Sequence, residues 1–117
     1  ILPAFFSRER FGMEENMVNH IVLWNFKEGL SVQEKAEAAA RIKRELEAVK
    51  EQVEGVVSLS VEIAPLASSN KDIGLISVFE SEEALKNYQV HPAHVAAAGY
   101  VGSVTQLRTC LDYEAQC

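Results

Sequence analysis

The stretch Tyr88-Gln89-Val90-His91-Pro92-Ala93-His94-Val95 places two of the chain's three histidines one helical turn apart, with a tyrosine upstream and a proline between them. Three kinds of chemistry fit those residue types. A shared metal ion would use His91 and His94, but zinc takes three or four protein ligands and neither cysteine nor carboxylate stands beside them, although His20 can join in three dimensions. An acid-base centre would use His94, whose side chain titrates near neutrality, with Tyr88 orienting the imidazole or donating to a carbonyl oxygen as charge builds on it. An architectural corner would use His91 as a helix cap, with Tyr88 packed and His94 bonded to a nearby carbonyl. The expectation is no metal and no cofactor, with Tyr88 and His94 as the pair that matters. Arg108 is a candidate substrate-binding residue. His20 falls on an apolar strand face, where a satisfied core histidine is the plain alternative. Arg108 falls at an inward-tending strand position, where it pairs with a carboxylate such as Asp112 or lines a cavity.

These residues need elements to hold them. Val18–Phe26 is β-branched and aromatic and apolar on both faces, as in a strand covered on both sides. Ser31-Val32-Gln33-Glu34 forms a capping box. Behind it Val32, Ala36, Ala39, Ile42, Leu46, Val49 and Val53 make one apolar stripe of a long helix that Gly55 ends. Val57, Leu59, Val61 and Ile63 alternate with Ser58, Ser60 and Glu62, predicting a strand over 56–63, and a second strand follows over 73–80. Ser81 caps a helix with Glu82 and Glu83 at its positive end. Pro92 removes an amide and crowds the carbonyl of Tyr88, so the helix breaks there and a new one starts. A last strand spans 103–114. The order β-α-β-β-α-β, with the second helix broken, predicts an α+β ferredoxin-like fold: a four-stranded antiparallel sheet with helices on one face. The other sheet face carries too many apolar side chains for water, which predicts a homodimer joined sheet against sheet.

Composition bounds the partners. The chain has 117 residues, 48% of them hydrophobic, which fits one folded domain. Eleven basic against seventeen acidic residues give a net charge of −6, unsuited to nucleic acid or an anionic membrane, and both are set aside as partners. Of the two cysteines, Cys110 reads as a small buried thiol and Cys117 as an exposed terminal one. No CxxC pattern is present, and a cytoplasmic setting is expected. Residues 1–16 read as an N-terminal extension and lack the charge order of a signal peptide. Phe5, Phe6 and Phe11 would dock on an apolar surface if that extension is ordered. Residues 17–114 are the domain and 115–117 a short tail.

The first strand with His20, the segment from Tyr88 to Val95, and the closing Arg108, Asp112, Tyr113 and Glu114 together resemble the Dabb family, the stress-responsive dimeric A/B barrel domain. The resemblance runs from about Met17 to Glu114. It implies a dimeric α+β barrel made from two ferredoxin-like protomers. Plant relatives in that family include a cofactor-independent polyketide cyclase working by intramolecular aldol condensation. By that resemblance its catalytic tyrosine and histidine correspond to Tyr88 and His94, and its other site histidines to His20 and His91. Ile73, Lys43, Leu46 and Thr105 stand where that pocket has a histidine and aromatic residues, so its substrate does not carry over. Some plant members hold magnesium through main-chain carbonyls that correspond to Lys50, Val53 and Val56.

The functional expectation is a stress-related homodimer binding a small hydrophobic ligand between sheet and helices. The alternatives are a cyclase or lyase acting on a carbonyl compound, with His94 as base and Tyr88 as hydrogen-bond donor, and a monooxygenase-like relative.

Overall fold

The computed structural model describes residues 16–115. The expectations for the phenylalanines of the extension and for Cys117 lie outside the described residues. The elements run β1 (Val18–Phe26), α1 (Val32–Val49) with a 3-10 turn (Lys50–Gln52), β2 (Val56–Glu62), β3 (Ile73–Phe79), α2 (Glu82–Val90), α3 (Pro92–Val104) and β4 (Thr105–Glu114). The four strands form one antiparallel sheet in the order β2-β3-β1-β4, which is the ferredoxin-like arrangement.

Side-chain alternation gives the sheet two faces. Val18, His20, Val22 and Trp24 of β1 are buried toward the helices, as are Ile73, Leu75, Ser77 and Phe79 of β3. The helices close over them through Ile42, Leu46, Val49, Leu85 and Tyr88. The Ser31 capping box forms as predicted, with Glu34 N–H donating to Ser31 Oγ and Ser31 N–H donating to Glu34 Oε1. Lys43 and Glu47 then tie α1 to the middle of β2: Lys43 Nζ donates to the Val61 carbonyl and Val61 N–H donates to Glu47. Gly55, at φ +89°, leads into β2 beneath α2, and a Cβ there would lie 2.7 Å from that of Ala84.

Three expectations are corrected. Val32 is 87% exposed and Ala36 is exposed, so the first turns of α1 bury no apolar side chain; the buried stripe starts at Ala38. The last strand starts at Thr105 instead of Ser103, since α3 continues to Val104 and Thr105 Oγ1 donates to the Val101 carbonyl. Cys110 is exposed, because β4 is an edge strand whose helix-side face is only partly roofed. The second face of β1 is open in the single chain, as expected of a sheet face left for a second subunit: Ile21 and Leu23 are half-buried, beside exposed Ile76 and Leu111. Among the described residues no helix is long and apolar enough to cross a membrane.

Candidate active site

The break at Pro92 builds the site. Proline disfavours helical geometry in the residue before it, and His91 takes φ −67°, ψ 136°. That extended residue ends α2 and caps α3: its Nδ1 accepts from the Ala93 N–H at 3.0 Å. His91 does not line the adjoining cavity, so its side chain is committed to the corner.

The turn folds α3 back so that His94, on its first turn, faces Tyr88 on the last turn of α2. Their ring centroids stand 4.4 Å apart at 50°. His94 Nδ1 lies 3.1 Å from the Gln89 carbonyl oxygen. A carbonyl only accepts, so Nδ1 carries the proton and Nε2 of the neutral ring is a free lone pair. Burial lowers the His94 pKa below the ordinary histidine value. The Gln89 bond opposes that shift, and the nearby charges of His20 and Arg108 add to it.

Tyr88 is fully buried between Phe79, at 4.8 Å between centroids, and His94. Its hydroxyl has no hydrogen-bond partner among the described residues. Such an orphan typically costs about 1–3 kcal/mol. Burial pushes the phenol up to about 12, so at neutral pH it is a donor. His20 completes an aromatic cluster, 6.3 Å from Tyr88 and 6.0 Å from Phe79.

Tyr88, His94, His20 and Arg108 meet at one cavity of about 260 Å3, whose remaining wall is apolar, chiefly Trp24, Leu46, Leu75 and Val101. Leu46 alone of the four positions where the resemblance departs lines it. Lys43 is engaged with Glu47 and β2, and Thr105 with Val101. A larger hollow of about 370 Å3 lies along the 64–72 loop, with neither histidine nor tyrosine in its wall.

Arg108 reaches the cavity by a device invisible in the periodicity. The β1–β4 register slips between Leu23 and Asn25, so Leu107 and Arg108 together stand opposite Trp24. Leu107 takes φ +57°, sparsely populated for a leucine, and its carbonyl accepts from Lys71 Nζ. This bulge re-aims the strand so that Arg108, Cys110 and Asp112 share the helix-side face. Asp112 accepts from His20 Nδ1 instead of pairing with Arg108, which makes no ion pair among the described residues. The role of Asp112 beside His20 was the main site feature missed from sequence. Its only signal is the antiparallel register that sets it opposite His20.

A ferredoxin-like α+β chain with an apolar cavity holding a neutral histidine and an unpartnered tyrosine is the class so defined. The chain belongs to the stress responsive A/B barrel domain family, whose model matches residues 18–115. It is similar to a dimeric protein of unknown function with a ferredoxin-like fold from Bacteroides fragilis, at 30% identity and TM-score 0.79, over 85% of this chain and 96% of that one. A Dabb family protein from Mesorhizobium loti is 19% identical with TM-score 0.67, over 88% of this chain and all of that one (100%). SnoaB, a cofactor-independent oxygenase from Streptomyces nogalater, is 14% identical with TM-score 0.68, over 87% and 95%. The last two likenesses speak to the fold alone. No curated protein sequence matches the chain.

Proposed function

We propose that the protein is a homodimer that binds a small, mostly apolar carbonyl compound in the Tyr88–His94 cavity and catalyses cofactor-independent proton transfer on it. The observation that carries this reading is the buried Tyr88 hydroxyl, without a partner among the described residues, in the same cavity as a histidine that the Gln89 carbonyl holds in one tautomer. A buried orphan donor beside a free imidazole lone pair is costly for a structural corner. It is useful for a site awaiting an oxygen.

In this reading His94 Nε2 removes a proton from the carbon beside the substrate carbonyl. The carbonyl oxygen gains the charge, and the Tyr88 O–H donates to it. The enolate then attacks a second carbonyl within the same molecule or is reprotonated by His94. The lowered His94 pKa keeps the base neutral at pH 7, and the raised Tyr88 pKa keeps its proton in place. The volume suits a ligand of about one ring, since drug-sized sites run about 300–1,000 Å3. Arg108 at the wall favours a carboxylate or other anionic end. An oxygenase reading rests on the fold alone.

The dimer rests on the open sheet face. Leu111, Ile21 and Ile76 lie in one cross-strand row, and Tyr113 lies beyond it. Leu111 is 59% exposed and Tyr113 45% exposed in the single chain. The Bacteroides fragilis relative is described as dimeric. A second copy would bury this row, leaving the cavity on the helix side.

The test is exchange of α-protons for deuterium in a one-ring 1,3-diketo acid, followed by NMR, with the His94→Ala variant as its control.

A further inference from the structure

We propose that His20, Cys110 and Asp112 form a binding site for a zinc-class divalent ion at the β1–β4 edge of the sheet. The site adjoins the Tyr88–His94 cavity, whose wall His20 also lines, but its three ligands do not include that pair and it does not depend on their chemistry. Register brings the three together: His20 stands opposite Asp112, Val22 opposite Cys110, and all three side chains share the helix-side face. Cys110 Sγ lies 3.5 Å from Asp112 Oδ1 and 3.9 Å from His20 Nδ1. A tetrahedral zinc ion with bonds of about 2.0 Å to nitrogen or oxygen and about 2.3 Å to sulfur holds its ligand atoms about 3.3–3.5 Å apart. The two edges that meet at Cys110 Sγ are therefore close to this spacing, and the third, between His20 and Asp112, must open for an ion to enter. His20 Nδ1 and Asp112 Oδ1 are in direct hydrogen-bond contact, and an ion would replace the shared proton as these two atoms move apart.

The donor set selects the metal. One imidazole nitrogen, one thiolate and one carboxylate suit zinc or cobalt(II) and do not suit magnesium or calcium, which take oxygen ligands. On the Asp112 side the surroundings attract a cation, since the hollow of about 300 Å3 that opens there is also lined by Glu82 and Glu114, while Arg108 stands on the Cys110 side. The Cys110 thiol is held above its ordinary value by burial and by the Asp112 charge, while Arg108 acts the other way. A divalent ion removes the conflict between thiolate and carboxylate. On binding, the thiol proton leaves to solvent and the His20 proton moves from Nδ1 to Nε2. Three protein ligands leave a fourth position for water or a ligand.

Cobalt(II) is the probe, added to the reduced full chain in a Cys117→Ser background. The expected result is a thiolate-to-cobalt charge-transfer band together with the visible bands of tetrahedral cobalt, all lost on adding zinc. Cys110→Ser abolishes the charge-transfer band, Asp112→Asn weakens binding about tenfold or more, and His94→Ala leaves both unchanged. Because Cys110 is exposed, its replacement leaves the fold standing; zinc should raise the melting midpoint of the parent and leave that of Cys110→Ser where it is. Absence of the charge-transfer band, or the same band in Cys110→Ser, overturns the site.

Discussion

The rings of Tyr88 and His94 stand 4.4 Å apart, yet neither polar group is spent on the other: His94 Nδ1 turns to the Gln89 carbonyl and the Tyr88 hydroxyl meets no partner among the described residues. The pair is packed as a wall and left chemically open. Pro92 makes this possible, because an unbroken helix would not fold His94 back toward Tyr88.

Replacing Tyr88 by Phe separates stability from activity. No hydrogen bond is lost, so stability holds or rises by about 1 kcal/mol, measured by chemical denaturation. Proton exchange in the substrate slows about 10²–10³-fold, the usual cost of one lost donor to a developing oxyanion. A loss of more than about 1 kcal/mol would mean that the hydroxyl is structural.

The lowered His94 pKa sets the pH dependence. The base works when neutral, so the rate is full above that pKa and falls as pH drops through it, with the inflection below the ordinary histidine value of 6.5. Stability runs the same way. The unfolded chain takes up the proton near the ordinary value and the folded chain resists it, so this contribution is complete above that value. It declines as pH falls to the lowered folded pKa and is constant beneath it. His94→Gln should remove this component from both profiles; an unchanged rate profile in that variant would contradict the assignment.

Arg108→Ala tests the anionic end of the ligand. Binding of a 1,3-diketo acid, read by thermal shift or titration, should weaken about tenfold, as expected for loss of a charge-assisted bond at an exposed site. Binding of its neutral ester should stay the same. Equal losses for acid and ester would place Arg108 in packing only.

The open sheet face carries the dimer. Ile76→Lys, which puts a charge into the cross-strand row with Ile21 and Leu111, should give a folded monomer in sedimentation at micromolar concentration, where the parent is a dimer. A monomeric parent, or a variant that stays dimeric, would refute that interface.

Features that depend on neighbouring residues were readable from the chain. The Ser31–Glu34 box, the Ser81 cap and the Pro92 break each act within a few positions, and all three occur as local rules require. Features set by distant register were not. Val32 has the spacing of a core residue but lies in the first turn of α1, ahead of the buried stripe that starts at Ala38. Cys110 has the apolar surroundings of a core thiol but sits on an edge strand. The bulge at Leu107–Arg108 and the pairing of Asp112 with His20, 92 residues apart, depend on how β4 docks beside β1. No spacing within either strand encodes that.

The central claim is that His94 takes a proton from carbon in a cavity where Tyr88 meets the resulting oxyanion. Its most direct test is deuterium uptake at the α-carbon of a one-ring 1,3-diketo acid in heavy water, comparing the parent with His94→Ala. The account predicts that the parent accelerates uptake and that the variant, still folded and still binding the compound, loses about 10²–10⁴-fold of that acceleration. Uptake equally fast with His94→Ala, or no acceleration by a parent that binds the compound, would contradict it.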